Sequence, residues 1–111
     1  MTMGRPIGAV LLFVLCPALV ACAARMSEAA RPGTIHEVRA LEAEIEGQQA
    51  VAASGDCQER CRAVASICDS AGRICEVSSD LAEVEALESC RRAEAICIEA
   101  RRRGNAECTC P

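Results

Sequence analysis

The sequence has no tryptophan, no tyrosine and no lysine, one phenylalanine (Phe13) and one histidine (His36). Phe13 falls in the apolar N-terminal stretch, so the rest of the chain must build its core from Ala, Val, Leu, Ile and sulfur. Aromatic side chains normally bury the largest areas. At 111 residues the chain holds one domain at most, and an Ala-rich core of that size is marginal on area alone. Phosphate-loop and thioredoxin-like chemistry have no motif here, because there is no Gly-rich phosphate loop and no CXXC pair. His36 sits near the start of an amphipathic segment, where it reads as a solvated surface residue rather than a base. The missing lysines are matched by 12 arginines, which fits an Arg-favouring, GC-rich coding sequence better than any structural need. The formal net charge of −4 argues against non-specific nucleic-acid binding, which needs clustered positive charge.

What the chain does have is ten cysteines, the density of a disulfide scaffold. Residues 1–24 form a leader: Arg5 supplies a short positive region, Ile7–Leu15 an apolar core, and small residues follow Pro17. This is a secretory signal pattern, too short for a clear membrane span. Ala21-Cys22-Ala23 also fits ordinary cleavage after Ala23, which would release a secreted protein, and an uncleaved anchor over about 7–24 is a third outcome. Cys16 departs with the leader and Cys22 lies at its end. The remaining eight, Cys57, Cys61, Cys68, Cys75, Cys90, Cys97, Cys108 and Cys110, are an even set, as four disulfides require.

An all-α domain follows from the periodicity. Residues 22–33 are a polar tether ending at Pro32-Gly33. Thr34 with Glu37 makes a capping box, and Ile35, Val38, Leu41 and Ile45 share one helical face, predicting an amphipathic helix within 34–55. Asp56 with Glu59 makes a second box. Cys57, Cys61, Val64, Cys68, Ala71 and Cys75 then step by four and three, a heptad seam, with a kink or break allowed at Gly72. A turn is expected at Glu76–Ser79 and a third box at Asp80 and Glu83. A helix over about 81–103 follows, with the seam Ala86, Cys90, Ala93, Cys97 and Ala100. Arg101–Arg103 would complement its negative end, and Gly104 would stop it. Residues 56–111 thus read as an antiparallel hairpin laced by disulfides, with the 34–55 helix as a third member of a small bundle.

In an antiparallel hairpin, facing residues add to a constant number. Cys75 with Cys90, Cys68 with Cys97 and Cys57 with Cys108 all meet that rule, leaving Cys61 for Cys110. If the register breaks at Gly104, Cys61–Cys108 with Cys57–Cys110 is the alternative. Cys57, Cys61, Cys108 and Cys110 could otherwise form a four-thiolate site for zinc or copper(I). The pairs seven residues apart could not, because they stand about 10.5 Å apart along a helix. The sequence implies no cofactor, no small-molecule substrate and no catalytic set. The 34–55 helix either packs on the hairpin or offers its apolar face to a protein partner.

Leu19-Val20-Ala21-Cys22 resembles the lipobox of bacterial lipoprotein precursors. The resemblance implies removal of residues 1–21 as a lipoprotein signal peptide, diacylglyceryl transfer to the Cys22 thiol and acylation of the new N-terminus, which would anchor the chain without a spanning helix. Ala23, where an Asp would favour inner-membrane retention, points toward the outer membrane. The chain as a whole resembles the small cysteine-rich lipoproteins of GC-rich Gram-negative bacteria. That likeness implies a cell-envelope location and a disulfide-rich helical domain, and no activity. The hairpin is similar in principle to twin-CX9C proteins, although CX6C recurs here and nothing of their function carries over.

Overall fold

The computed structural model describes residues 31–111. The stretch expected to be a signal peptide, Cys16, the expected lipidation position Cys22 and the expected tether before Arg31 lie outside the described residues. Three helices follow one another: α1 (Ile35–Ser54), α2 (Cys57–Leu81) and α3 (Val84–Glu107). Helix α2 is the central member. Both neighbours pack along it, and they touch each other far less.

Each helix start follows its capping chemistry. Thr34 Oγ1 accepts from the Glu37 N–H at 3.3 Å, satisfying one of the unpaired donors of the first turn. Glu37 does not close the expected box on Thr34; its Oε1 accepts from the Gly33 N–H instead, at 2.7 Å. Asp56 and Glu59 form the full reciprocal box. The third expected box does not exist. Asp80 lies inside α2, and Glu83 caps α3 with its backbone alone.

The turn between α2 and α3 therefore falls later than the expected Glu76–Ser79. The reason is packing. Val77 and Ser78 are buried and Leu81 is half-buried, so the apolar face of α2 continues for six residues past Cys75. Ser78 Oγ lies 2.6 Å from both the Ile74 and the Ala86 carbonyl, sharing its one proton between its own helix and α3. The chain reverses at Ala82, which sits in the left-handed region at φ 53°. An L-residue there costs about 1–2 kcal/mol, and glycine escapes that cost at some expense in unfolded-chain entropy. Ala82→Gly is accordingly expected to raise stability by about 0.5–1 kcal/mol, read as a higher denaturant midpoint without a change in slope.

The core is built from Val38 and Ile45 of α1, Val64, Ile67, Ile74 and Val77 of α2, and small residues of α3. Helix α2 runs unbroken through Gly72, which is exposed and where an added Cβ would meet nothing within 4 Å. Helix α3 likewise passes Gly104 and ends at Glu107. Gly104 is not a stop but a contact: a Cβ there would lie 3.3 Å from Val64 Cγ2 and 3.4 Å from Cys110 Sγ. Arg101–Arg103 consequently lie before the last turn, where Arg102 and Arg103 bond to Glu99 rather than serve the helix end.

Candidate functional site

The eight cysteines lie along the facing sides of α2 and α3 and on the tail after α3. Cys75 bonds to Cys90 and Cys68 to Cys97, with Cα–Cα distances of 4.7 and 4.9 Å. Ala71 and Ala93, both buried beside them, are small enough to let the two backbones approach this closely. At the far end Cys57 bonds to Cys108 and Cys61 to Cys110. The last two bridges run in a direction the hairpin alone does not dictate. Cys108 meets the first residue of α2, and Cys110 then reaches one turn back along α2 to Cys61. The tail must double back over α3 to do so, and the absent side chain of Gly104 leaves the room.

This pairing removes the thiolate metal site considered from sequence. Cys57, Cys61, Cys108 and Cys110 are all consumed in disulfides and offer no thiolate to zinc or copper. Cys75, Cys90 and Glu94 also bring three ligand-type atoms within 4.8 Å of one another. Two of those atoms are disulfide sulfurs, so only the carboxylate remains. Four disulfides belong to an oxidising, extracytoplasmic compartment. No described helix is long and apolar enough to cross a membrane.

The electrostatics are those of clasps between helices. Arg73 of α2 donates to both carboxylate oxygens of Glu37 on α1, at 2.7 and 3.0 Å. These bonds, with the Gly33 N–H, hold the Glu37 carboxyl below its usual range. Glu42 of α1 accepts from Ser89 and Arg92 of α3, and Arg39 pairs with Glu85 at 2.9 Å. Arg60 is the most connected. It donates to the carbonyls of Ala53 in the last turn of α1 and of Gly55 just after it and pairs with Glu107 at the end of α3, tying three chain segments together. Glu99 is pulled down to about 2 by its bonds to Arg102 and Arg103. The Glu59 backbone N–H, donating to Asp56 Oδ1 at 2.9 Å, lowers the Asp56 carboxyl.

Because Glu37 ionises more readily folded than unfolded, its contribution is complete above the ordinary Glu range, near pH 4.3. That contribution is lost as pH falls through the lowered folded value. Arg73 is 43% exposed, so screening limits the effect to about 1 kcal/mol. Glu37→Gln is expected to lower Tm at pH 7, and the gap from wild type should close as both are titrated toward pH 2. A gap that persisted there would mean the carboxylate charge is not the cause.

His36 is exposed in the first turn of α1. Every buried side-chain nitrogen or oxygen among the described residues has a hydrogen-bond partner. The cleft between the ends of α1 and α3, about 180 Å³, is floored by Val64 and Ile67 and rimmed by Arg60, Glu99, Arg103 and Glu107. Its charged groups already pair, Arg60 with Glu107 and Glu99 with Arg103.

The apolar face of α1 considered as a partner surface is occupied, with Val38 and Ile45 buried against the hairpin. Val51, near the end of α1, is 37% exposed, and the other exposed large aliphatics among the described residues lie on α3. Val84 and Ile98 of α3 are 72% and 67% exposed, and Leu87 is 40% exposed. Sequence reasoning tracked the cysteine seam of α3 and passed over this outer face, although its three- and four-residue spacing was there to be read. No protein-family model, curated protein or solved structure matches the chain.

Proposed function

We propose that this is a lipid-anchored protein of the bacterial cell envelope, held at Cys22, whose stapled three-helix domain is a structural or protein-interaction module rather than an enzyme. The observation that carries this is the closed set of eight bridged cysteines. It leaves no reactive thiol in the domain and sets Cys22 apart as the one cysteine at a lipobox-like junction. The eight bridged positions sit where helices must be fastened, so function falls to the surface they hold. The absence of an Asp at position 23 supports the outer membrane over the inner.

Intact mass of the protein purified from its own membranes tests this. The expected species begins at Cys22, carries diacylglyceryl and acyl mass, and takes up no alkylating agent until reduction exposes eight thiols. A lipid-free chain beginning at Ala24 would instead make it secreted, and a retained leader would make it an uncleaved anchor. Metal retained under native ionisation would restore the thiolate reading.

A further inference from the structure

Helix α3 is built inside out with respect to size. Its buried positions are Ala86, Ser89, Ala93, Cys97 and Gly104, all small, while Val84, Leu87 and Ile98 face solvent. Those three belong to a single stripe. Val84, Leu87, Arg91, Glu94, Ile98 and Arg101 step by three, four, three, four and three, the spacing of a coiled-coil seam, on a side of α3 turned away from α1. Arg91, Glu94 and Arg101 are exposed and form no ion pair among the described residues. Neighbouring Arg92, Arg102 and Arg103 are all paired. An exposed apolar stripe with unpaired charges of both signs asks for a partner carrying the complementary pattern.

The stripe is complementary to itself. Laid antiparallel against the same stripe of a second copy, every layer falls into step in one register. Leu87 meets Ile98 of the second copy, Arg91 meets its Glu94, and Val84 lies against the aliphatic stem of its Arg101; the two-fold axis then repeats each contact in reverse. Apolar layers and opposite charges coincide together. A parallel pairing would set Arg91 against Arg91 and Glu94 against Glu94. We infer that the outer face of α3 is an isologous self-association surface, pairing two copies of this chain antiparallel through Leu87–Ile98 and Arg91–Glu94 contacts.

The seam is about 25 Å long, short for the roughly 800 Å² per partner of a standard stable interface. Free copies therefore pair weakly. Copies confined to one membrane, as in the proposed function on which this point alone rests, meet at a much higher effective concentration.

The test uses the full-length protein in nonionic detergent and, separately, the same chain with Cys22→Ala, each followed by sedimentation equilibrium over a wide concentration range. Both forms are expected to show a reversible monomer–dimer equilibrium. Arg91→Glu and Glu94→Arg each place like charges in two layers and should weaken association by about tenfold or more. Mixing the two variants restores opposite charges and should recover dimers that neither forms alone, as should the double variant R91E/E94R. Ile98→Glu, at a 67% exposed position, provides a second break with no expected cost to the monomer fold. Monomers throughout, or dimers insensitive to these swaps, would overturn the inference. A lipid-free mass with charge-sensitive dimers would overturn the anchor and leave the pairing intact.

Discussion

Complete reduction at neutral pH without denaturant is expected to abolish the cooperative thermal transition and most of the helical circular dichroism. Among the described residues the buried side chains larger than Ala, Ser or Cys are few: Val38, Ile45, Val64, Ile67, Ile74 and Val77. Such a core gives little margin over the entropy of ordering the chain. Under the chain-entropy model Cys75–Cys90, with a separation of 15 residues, contributes about 3 kcal/mol. Once it is closed, Cys68–Cys97 constrains only the seven-residue steps on either side, again worth about 3 kcal/mol. The two outer bridges add less than their separations of 51 and 49 would suggest, because they close against a chain already fastened. Even so, the loss approaches the whole stability of an ordinary domain, about 5–15 kcal/mol. Removing only the inner bridge, with Cys75→Ala and Cys90→Ala together, should cost about 3 kcal/mol and leave a folded protein. A reduced, alkylated sample that kept a cooperative transition would show that the helices hold without their staples.

The second large effect is at Ile74, which is fully buried and adjacent in sequence to a bridged cysteine. Ile74→Ala is expected to cost about 3 kcal/mol in denaturant unfolding of the oxidised protein. Neighbouring groups usually soften such a cavity by moving inward. Here Cys75–Cys90 fixes the separation of α2 and α3 beside the site, so little collapse is available. Ile98→Ala, on the exposed face of α3, should change the stability of dilute monomer by no more than about 0.5 kcal/mol. A loss below about 1 kcal/mol at Ile74 would mean the hairpin is more compliant than its bridges imply.

The helices, their order and the seam joining α2 to α3 were legible because cysteine spacing and capping residues are local signals. Asp56 and Glu59 form their box, and Ala71 and Ala93 are both buried where the cysteine steps place them. The turn was not legible. Ser78, Ser79 and Asp80 have turn composition, but Val77 and Ser78 are buried against the neighbouring helices, and tertiary packing carries α2 through them. Gly104 misleads for a related reason. A glycine near a helix end signals termination unless something needs its missing side chain, and here Cys110 does. The outer stripe of α3 was hidden by the rule that cysteine marks the important face. On α3 that rule finds the fastened side and misses the exposed one.

The doubled-back tail has a consequence for how the protein is made. Cys57–Cys108 and Cys61–Cys110 interlock in chain order, whereas Cys57–Cys110 with Cys61–Cys108 would simply enclose one loop within another. The inner loop is the shortest and closes at the least entropic cost, so oxidation proceeds outward from the α2–α3 turn. It ends with two thiols one helical turn apart facing two thiols on a short tail, with both isomers within reach. Only the native one brings Cys110 back over Gly104. Refolding from the reduced chain is accordingly expected to end on exchange between these two isomers, on the seconds-to-hours scale of disulfide reshuffling, read by mapping the disulfide-linked peptides over time.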